Sequence, residues 1–157
     1  MPLFVGAAVA GLLHAAASLY WALGGTWLLD TVGQFAVDMQ REGGPLITLM
    51  LWVVTLAKVA GALVPLLDHA RPPAHRWVRV VSWLGVLILL AWGGAGMIGA
   101  WIALTSGTST GDDTALVGHA FLWDPLFVIW AILLAWALIA SRSWWRPGLV
   151  APGSPPR

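Results

Sequence analysis

The sequence predicts an all-α protein: a four-span transmembrane helix bundle with both termini in the cytoplasm. Three observations carry that expectation. Hydrophobic residues make up 59% of the 157-residue chain and charged residues 10%, with a mean hydropathy of +0.82, whereas soluble domains run roughly 45–50% apolar and about 25% charged. Four stretches reach the ~20 mostly apolar residues that a spanning helix needs. The segments between them are short and rich in Gly, Pro, Ser and charge.

The first span covers residues 3–23. It lacks a basic leading segment, and its apolar run is longer than that of a signal peptide, so it reads as a retained helix. The connection 24–45 carries Gly-Gly at both ends. Within it Leu28, Val32, Phe35 and Met39 recur at helical spacing, while Asp30, Gln34, Asp38 and Arg41 fall on another side. This predicts a short amphipathic helix on the outer face. Its polar side is acidic rather than basic, which favours a lid over helix ends above a lipid-binding helix. The second span covers residues 46–67 and is closed by the connection DHARPPAHRW, whose prolines stop a helix. The third, residues 80–104, carries Gly85, Gly93, Gly94, Gly96 and Gly99. Small residues let helix backbones approach in lipid, here for packing inside one bundle rather than as a dimer seam. A polar connection leads to the fourth span, residues 119–140. Residues 1–140 thus read as a single bundle. Residues 141–157 read as a cytoplasmic tail that is disordered at its Pro/Gly-rich end.

Basic residues in short loops mark the cytoplasmic side. Arg71, Arg76 and Arg79 flank the second connection, and Arg142, Arg146 and Arg157 lie in the tail. The first connection holds Arg41 alone and the third holds none, so these two face outward. Tryptophan favours the interface, where its ring is buried and its N–H is wet. Trp77, Trp83, Trp136, Trp144 and Trp145 fit an inner belt, and Trp21, Trp27 and Trp101 an outer one. Trp52, Trp92 and Trp130 lie deeper and are expected to pack between helices. This arrangement reads as a multi-pass membrane protein.

Composition also excludes function classes. A net charge of +1 offers no bulk basicity for nucleic acid. Absence of cysteine removes disulfides, thiolate catalysis and Cys-ligated metals. No HxxxH or HExxH pair, GxSxG, P-loop or dinucleotide fingerprint occurs. Neither a metal nor a cofactor is therefore expected.

An ionisable group inside hydrocarbon costs several kcal/mol unless paired or wetted, which makes it a candidate for function. Three lie deep: His14, Lys58 and Asp124. His119 stands at the outer end of the fourth span. Helical rise puts Asp124 about 8 Å below the outer surface, His14 about 14 Å and Lys58 about 18 Å. A lysine stem can climb toward Asp124. Pro125 removes an N–H and frees a carbonyl one turn earlier, near Phe121. These residues outline a candidate ligand pocket of His14, Ser18, Tyr20, Trp21, Lys58, His119, Trp123 and Asp124. The plain alternative is a Lys58–Asp124 pair that fixes helix register, with His14 and Ser18 bonded to backbone carbonyls.

Two segments are distinctive: His14-Ala-Ala-Ala-Ser-Leu-Tyr-Trp-Ala-Leu-Gly-Gly25, and Gly118-His-Ala-Phe-Leu-Trp-Asp-Pro-Leu-Phe-Val-Ile-Trp130. With the four-span layout they resemble an uncharacterised family of small bacterial four-helix integral membrane proteins, a domain-of-unknown-function family. The resemblance implies an integral membrane fold and brings no catalytic residues with it.

The leading expectation is a non-enzymatic membrane protein with an outward-facing polar and aromatic pocket. Its partners are the lipid bilayer and a small amphipathic ligand or a partner subunit. One alternative is a proton-coupled small-solute transporter or channel, against which the inner halves of the spans offer almost no ionisable residues. Another is a membrane enzyme using a His/Asp acid–base pair, which requires the two side chains within hydrogen-bond reach.

Overall fold

The computed structural model describes residues 1–71, 73–107 and 111–141. The expectations for residues 142–157, including Arg142, Trp144, Trp145, Arg146 and Arg157, lie outside the described residues. The chain is helical: α1 (Pro2–Ala22), α2 (Gln34–Glu42), α3 (Pro45–Ala70), α4 (Arg76–Ser106), α5 (Asp113–Gly118), a π-helical segment (His119–Trp123) and α6 (Asp124–Ala140). Four stretches are long and apolar enough to cross a bilayer: Pro2–Ala22, Pro45–Ala70, Arg76–Ser106 and Asp113–Ala140.

The second and third helices run beyond the apolar windows of the sequence, because Asp68, His69, Arg76 and Arg79 continue the helix where lipid ends. Hydropathy reports the stretch that lipid demands, whereas hydrogen bonding sets where the helix stops. Prolines open α1 and α3, where their missing N–H costs no helical bond. Gly107, in the left-handed conformation, closes α4.

α1 and α6 form the central pair. α3 packs along α1 and α4 along α6, while α3 and α4 scarcely meet. In lipid no hydrophobic drive pulls helices together, so close packing of small residues must do it. At Gly11 a β-carbon would stand 2.7 Å from the Trp130 ring and 2.8 Å from Ala62. The bare backbone there admits the indole at the centre of the bundle. Around it gather Phe4, Ala7, Val86, Leu134 and Leu138. Gly93 and Gly96 do the same for α4 against α6: a β-carbon at Gly93 would meet Phe127, and one at Gly96 would overlap the Asp124 carboxylate. Gly85, Gly94 and Gly99 face open space.

At the α3–α4 connection, Asp68 accepts from the His75 backbone N–H at 3.0 Å and holds the His75 ring at 2.5 Å. Arg79 donates to the Ser141 hydroxyl at 3.1 Å and to the Leu138 carbonyl, closing the end of α6. The opposite end is roofed by the α1–α3 connection, where Leu29 is buried beside Trp21 and Trp123. In α2, Ala36 and Val37 turn toward that cluster, while Phe35 is 76% exposed. Asp112 joins this roof to the fourth span. Its carboxylate accepts from the Ala115 amide at 3.1 Å, capping α5, and from the Gln34 amide at 3.0 Å, at the start of α2.

Three tryptophan expectations need correction: Trp52, expected between helices, is exposed at 36%. Trp92 does not pack between helices but is 72% exposed. Trp21 is buried rather than interfacial, donating to the Trp27 carbonyl at 3.0 Å. Trp130 is buried at the centre as expected.

Candidate functional site

Lys58 of α3 reaches across to α1. Its ammonium donates to the Ser18 hydroxyl at 2.7 Å and stands 3.1 Å from Nδ1 of His14. Ser18 and His14 lie four residues apart, so the helix stacks them on one face. The Ser18 hydroxyl in turn donates to the His14 carbonyl at 3.4 Å. With Lys58 donating, Nδ1 accepts and the imidazole proton belongs on Nε2. That Nε2 is buried and has no hydrogen-bond partner among the described residues. The ring stacks on Phe127 at 3.9 Å, and the ammonium stands 5.5 Å above the same ring, within range of a cation–π attraction.

Asp124 is held elsewhere. It is 2% exposed, and its Oδ2 lies 3.0 Å from Nδ1 of His119. On a regular α-helix residues five apart point about 140° away from each other. The π-helical turn between them widens the spiral and brings them together. Pro125 explains the turn: it offers no N–H, and its ring would crowd the carbonyl four residues back. The carbonyl left without a donor in the wider spacing is that of Ala120, and it accepts from Nε1 of Trp101 at 3.0 Å. The freed acceptor thus lies one residue before the position that α-helical counting indicates.

The Lys58–Asp124 pair that the depth estimate allows does not form. Among the described residues, which include every Asp and Glu side chain, the ion pairs are His75–Asp68 and His119–Asp124. Both nitrogens of His119 are engaged, since Nε2 donates to the Val32 carbonyl at 3.1 Å. One proton therefore lies between His119 Nδ1 and Asp124 Oδ2, and neither ring nitrogen is left for a substrate.

The aromatic residues tie the two groups to the roof. Trp123 lies 5.7 Å from the His14 ring and 5.1 Å, edge-on, from Trp21. Its Nε1 donates to the Thr31 hydroxyl at 2.9 Å. Tyr20 stands apart, exposed, with its ring against Gly25. Phe127 and Thr31 carry contacts that the sequence reading missed. Phe127 had a signal, lying three residues after Asp124 and four after Trp123. Thr31 had none, because its contact joins residues far apart in the chain.

The segment 28–32 packs over Trp21, Trp123 and His119: Leu29 is buried beside the two tryptophans, the Thr31 hydroxyl accepts from Trp123 and the Val32 carbonyl from His119. A groove of about 590 Å³ lies between α3 and α4. Phe127, Trp130 and Leu134 form its floor, Lys58 stands one turn in from the Val54 end, and Pro65 and Trp77 lie at the other. Its walls are largely apolar; the polar groups are Lys58, the indole N–H groups of Trp77 and Trp130, and Ser82, whose hydroxyl is spent on the Val78 carbonyl at 2.7 Å. A second, shallower depression lies beside Trp92, Gly96, His119 and Asp124. Among the described residues no three His, Cys, Asp or Glu side chains gather to hold a metal.

A family model described as a protein of unknown function (DUF3995) matches residues 11–134. That range holds both groups of polar side chains and the groove floor as far as Leu134. No curated protein and no solved structure matches the chain.

Proposed function

Given that the chain belongs to the DUF3995 family, we propose that this multi-span membrane protein receives a small amphipathic ligand in the groove between α3 and α4. Under this reading the connection around residues 71–79 and both termini face the cytoplasm, as the basic residues favour. Residues 1–140 act as one bundle in a bacterial cytoplasmic membrane. The groove then opens sideways into lipid, with Lys58 near the bilayer midplane. The α1–α3 connection, with its short amphipathic helix, is a fixed roof over the outer ends of α1 and α6.

One observation carries the reading: Lys58, a cation without a carboxylate partner among the described residues, stands at the head of an apolar groove. Intramembrane cations are costly and normally face a partner or a cavity. The groove volume falls in the usual range of small-molecule sites, roughly 300–1,000 Å³. His14, Ser18 and Phe127 position the ammonium. Trp21, Trp123, His119 and Asp124 support that arrangement from the roofed end.

The 3.0 Å contact of His119 with Asp124 favours a second reading, acid–base catalysis. The commitment of His119 Nε2 to Val32 ranks it below the first. The test is chemical analysis of the protein purified in mild detergent. A small amphipath at near-equal ratio to protein in the wild type, and absent from Gly85→Leu, supports the groove. A Gly85→Leu protein that carries the same molecule in the same amount overturns it.

A further inference from the structure

Resting on the groove reading, we infer that the ligand class is a single-chain carboxylic acid, its carboxylate on Lys58 and its chain along the groove floor. Three features of the site point there.

The first is charge. The Lys58 ammonium has three N–H bonds. Ser18 at 2.7 Å and His14 Nδ1 at 3.1 Å account for two. Both acceptors are neutral, and beyond the Phe127 ring face the positive charge meets no anion among the described residues. A buried cation that meets only neutral acceptors gains most from an anionic one, since charge-assisted bonds are the strong ones. A fatty alcohol or an ester supplies an acceptor without the charge.

The second is depth. Lys58 lies about 18 Å below the membrane surface by helical rise, close to the midplane of a ~30 Å hydrocarbon layer. A head group that is always ionised, such as a phosphodiester or a sulfonate, would have to carry its charge to that depth. A carboxylic acid sheds its charge by taking up a proton, and burial favours that neutral form. It can therefore reach the site uncharged and ionise beside Lys58.

The third is shape. From Leu89 to Trp77 the groove follows α4 for about 18 Å, floored by Phe127, Trp130 and Leu134. It is elongated, and its polar groups are few: Lys58 near one end, the indole N–H groups of Trp77 and Trp130, and Ser82, whose hydroxyl is already engaged. One unbranched chain with one terminal polar group matches this distribution; a two-chain lipid or a polyhydroxylated molecule does not.

The test uses the full-length protein in detergent micelles and a brominated sixteen-carbon fatty acid, whose bromine quenches the tryptophans that line the groove. The matching brominated alcohol and methyl ester serve as comparisons. Wild-type protein is expected to show saturable quenching by the acid, at least tenfold tighter than by the alcohol or the ester. Lys58→Met and Lys58→Gln are expected to bring the three probes to within about twofold of one another. Gly85→Leu, which fills space that is empty in the groove, is expected to abolish saturable quenching by all three. Equal binding of acid, alcohol and ester by the wild type, lost in Gly85→Leu, overturns the carboxylate inference and leaves the groove reading standing. Saturable binding that Gly85→Leu does not alter overturns both. A preference for the acid that survives in Lys58→Met and Lys58→Gln overturns the role given to Lys58.

Discussion

Lys58 and Asp124 are the charged side chains that the sequence places inside the spans, and they end with different partners. Lys58 bridges α1 and α3 through neutral groups, while Asp124 is locked to His119 under the roof. Interhelical polar contacts in membranes average ~0.6 kcal/mol and reach ~1.7 at most. Lys58→Met is therefore expected to fold, with a stability loss below about 2 kcal/mol in reversible detergent unfolding. Glycines divide by the same local logic. At Gly96 a β-carbon would overlap the Asp124 carboxylate, whereas at Gly85 it would meet nothing within 4 Å. Overpacking typically costs ~1–3 kcal/mol. Gly96→Leu is expected to lower the unfolding midpoint clearly, with Gly85→Leu close to wild type. Equal midpoints for the two variants would count against the packing described here.

At the scale of elements, the four spans were legible because each is a long apolar run with no competing pattern. Their ends were less so, since Asp68 and Arg76 are polar yet helical. The His119–Asp124 contact was hidden by the assumption of α-helical spacing. Pro125 announced a disturbance, but sequence alone did not reveal that the chain answers it with a π-turn. Pro125→Ala restores an N–H and removes the reason for the wider turn. It is expected to separate His119 from Asp124, seen as a shift of the His119 ring signals in NMR toward those of Asp124→Asn. Asp112, in the polar connection before the fourth span, holds the starts of both α2 and α5. Loss of an N-cap costs ~0.5–2 kcal/mol. Asp112→Ala is expected to speed amide exchange about tenfold or more at Gln34 and Ala115, with the centre of α6 unchanged.

For the whole molecule, periodicity and depth counting brought His14, Ser18 and Lys58 into one neighbourhood, and these three do touch. What the sequence could not reveal is which pair of helices stays apart. That depends on the fit of Gly11 to Trp130 and of Gly93 and Gly96 to α6, which seats α3 and α4 on a common floor without closing on each other. Orientation is open to a direct test, because the chain has no native cysteine to remove. In intact cells Thr114→Cys is expected to react with a membrane-impermeant maleimide, and Ala74→Cys only after permeabilisation; the reverse pattern would invert the proposed topology.

The groove itself is tested most directly by photo-crosslinking with a single-chain amphipath that carries a diazirine in its tail, followed by mapping of the modified residues. The account predicts labelling concentrated on Gly61, Ser82, Phe127 and their neighbours, and its loss in Gly85→Leu. Labelling spread evenly over the lipid-facing surfaces of all four spans, and unchanged in Gly85→Leu, would contradict it.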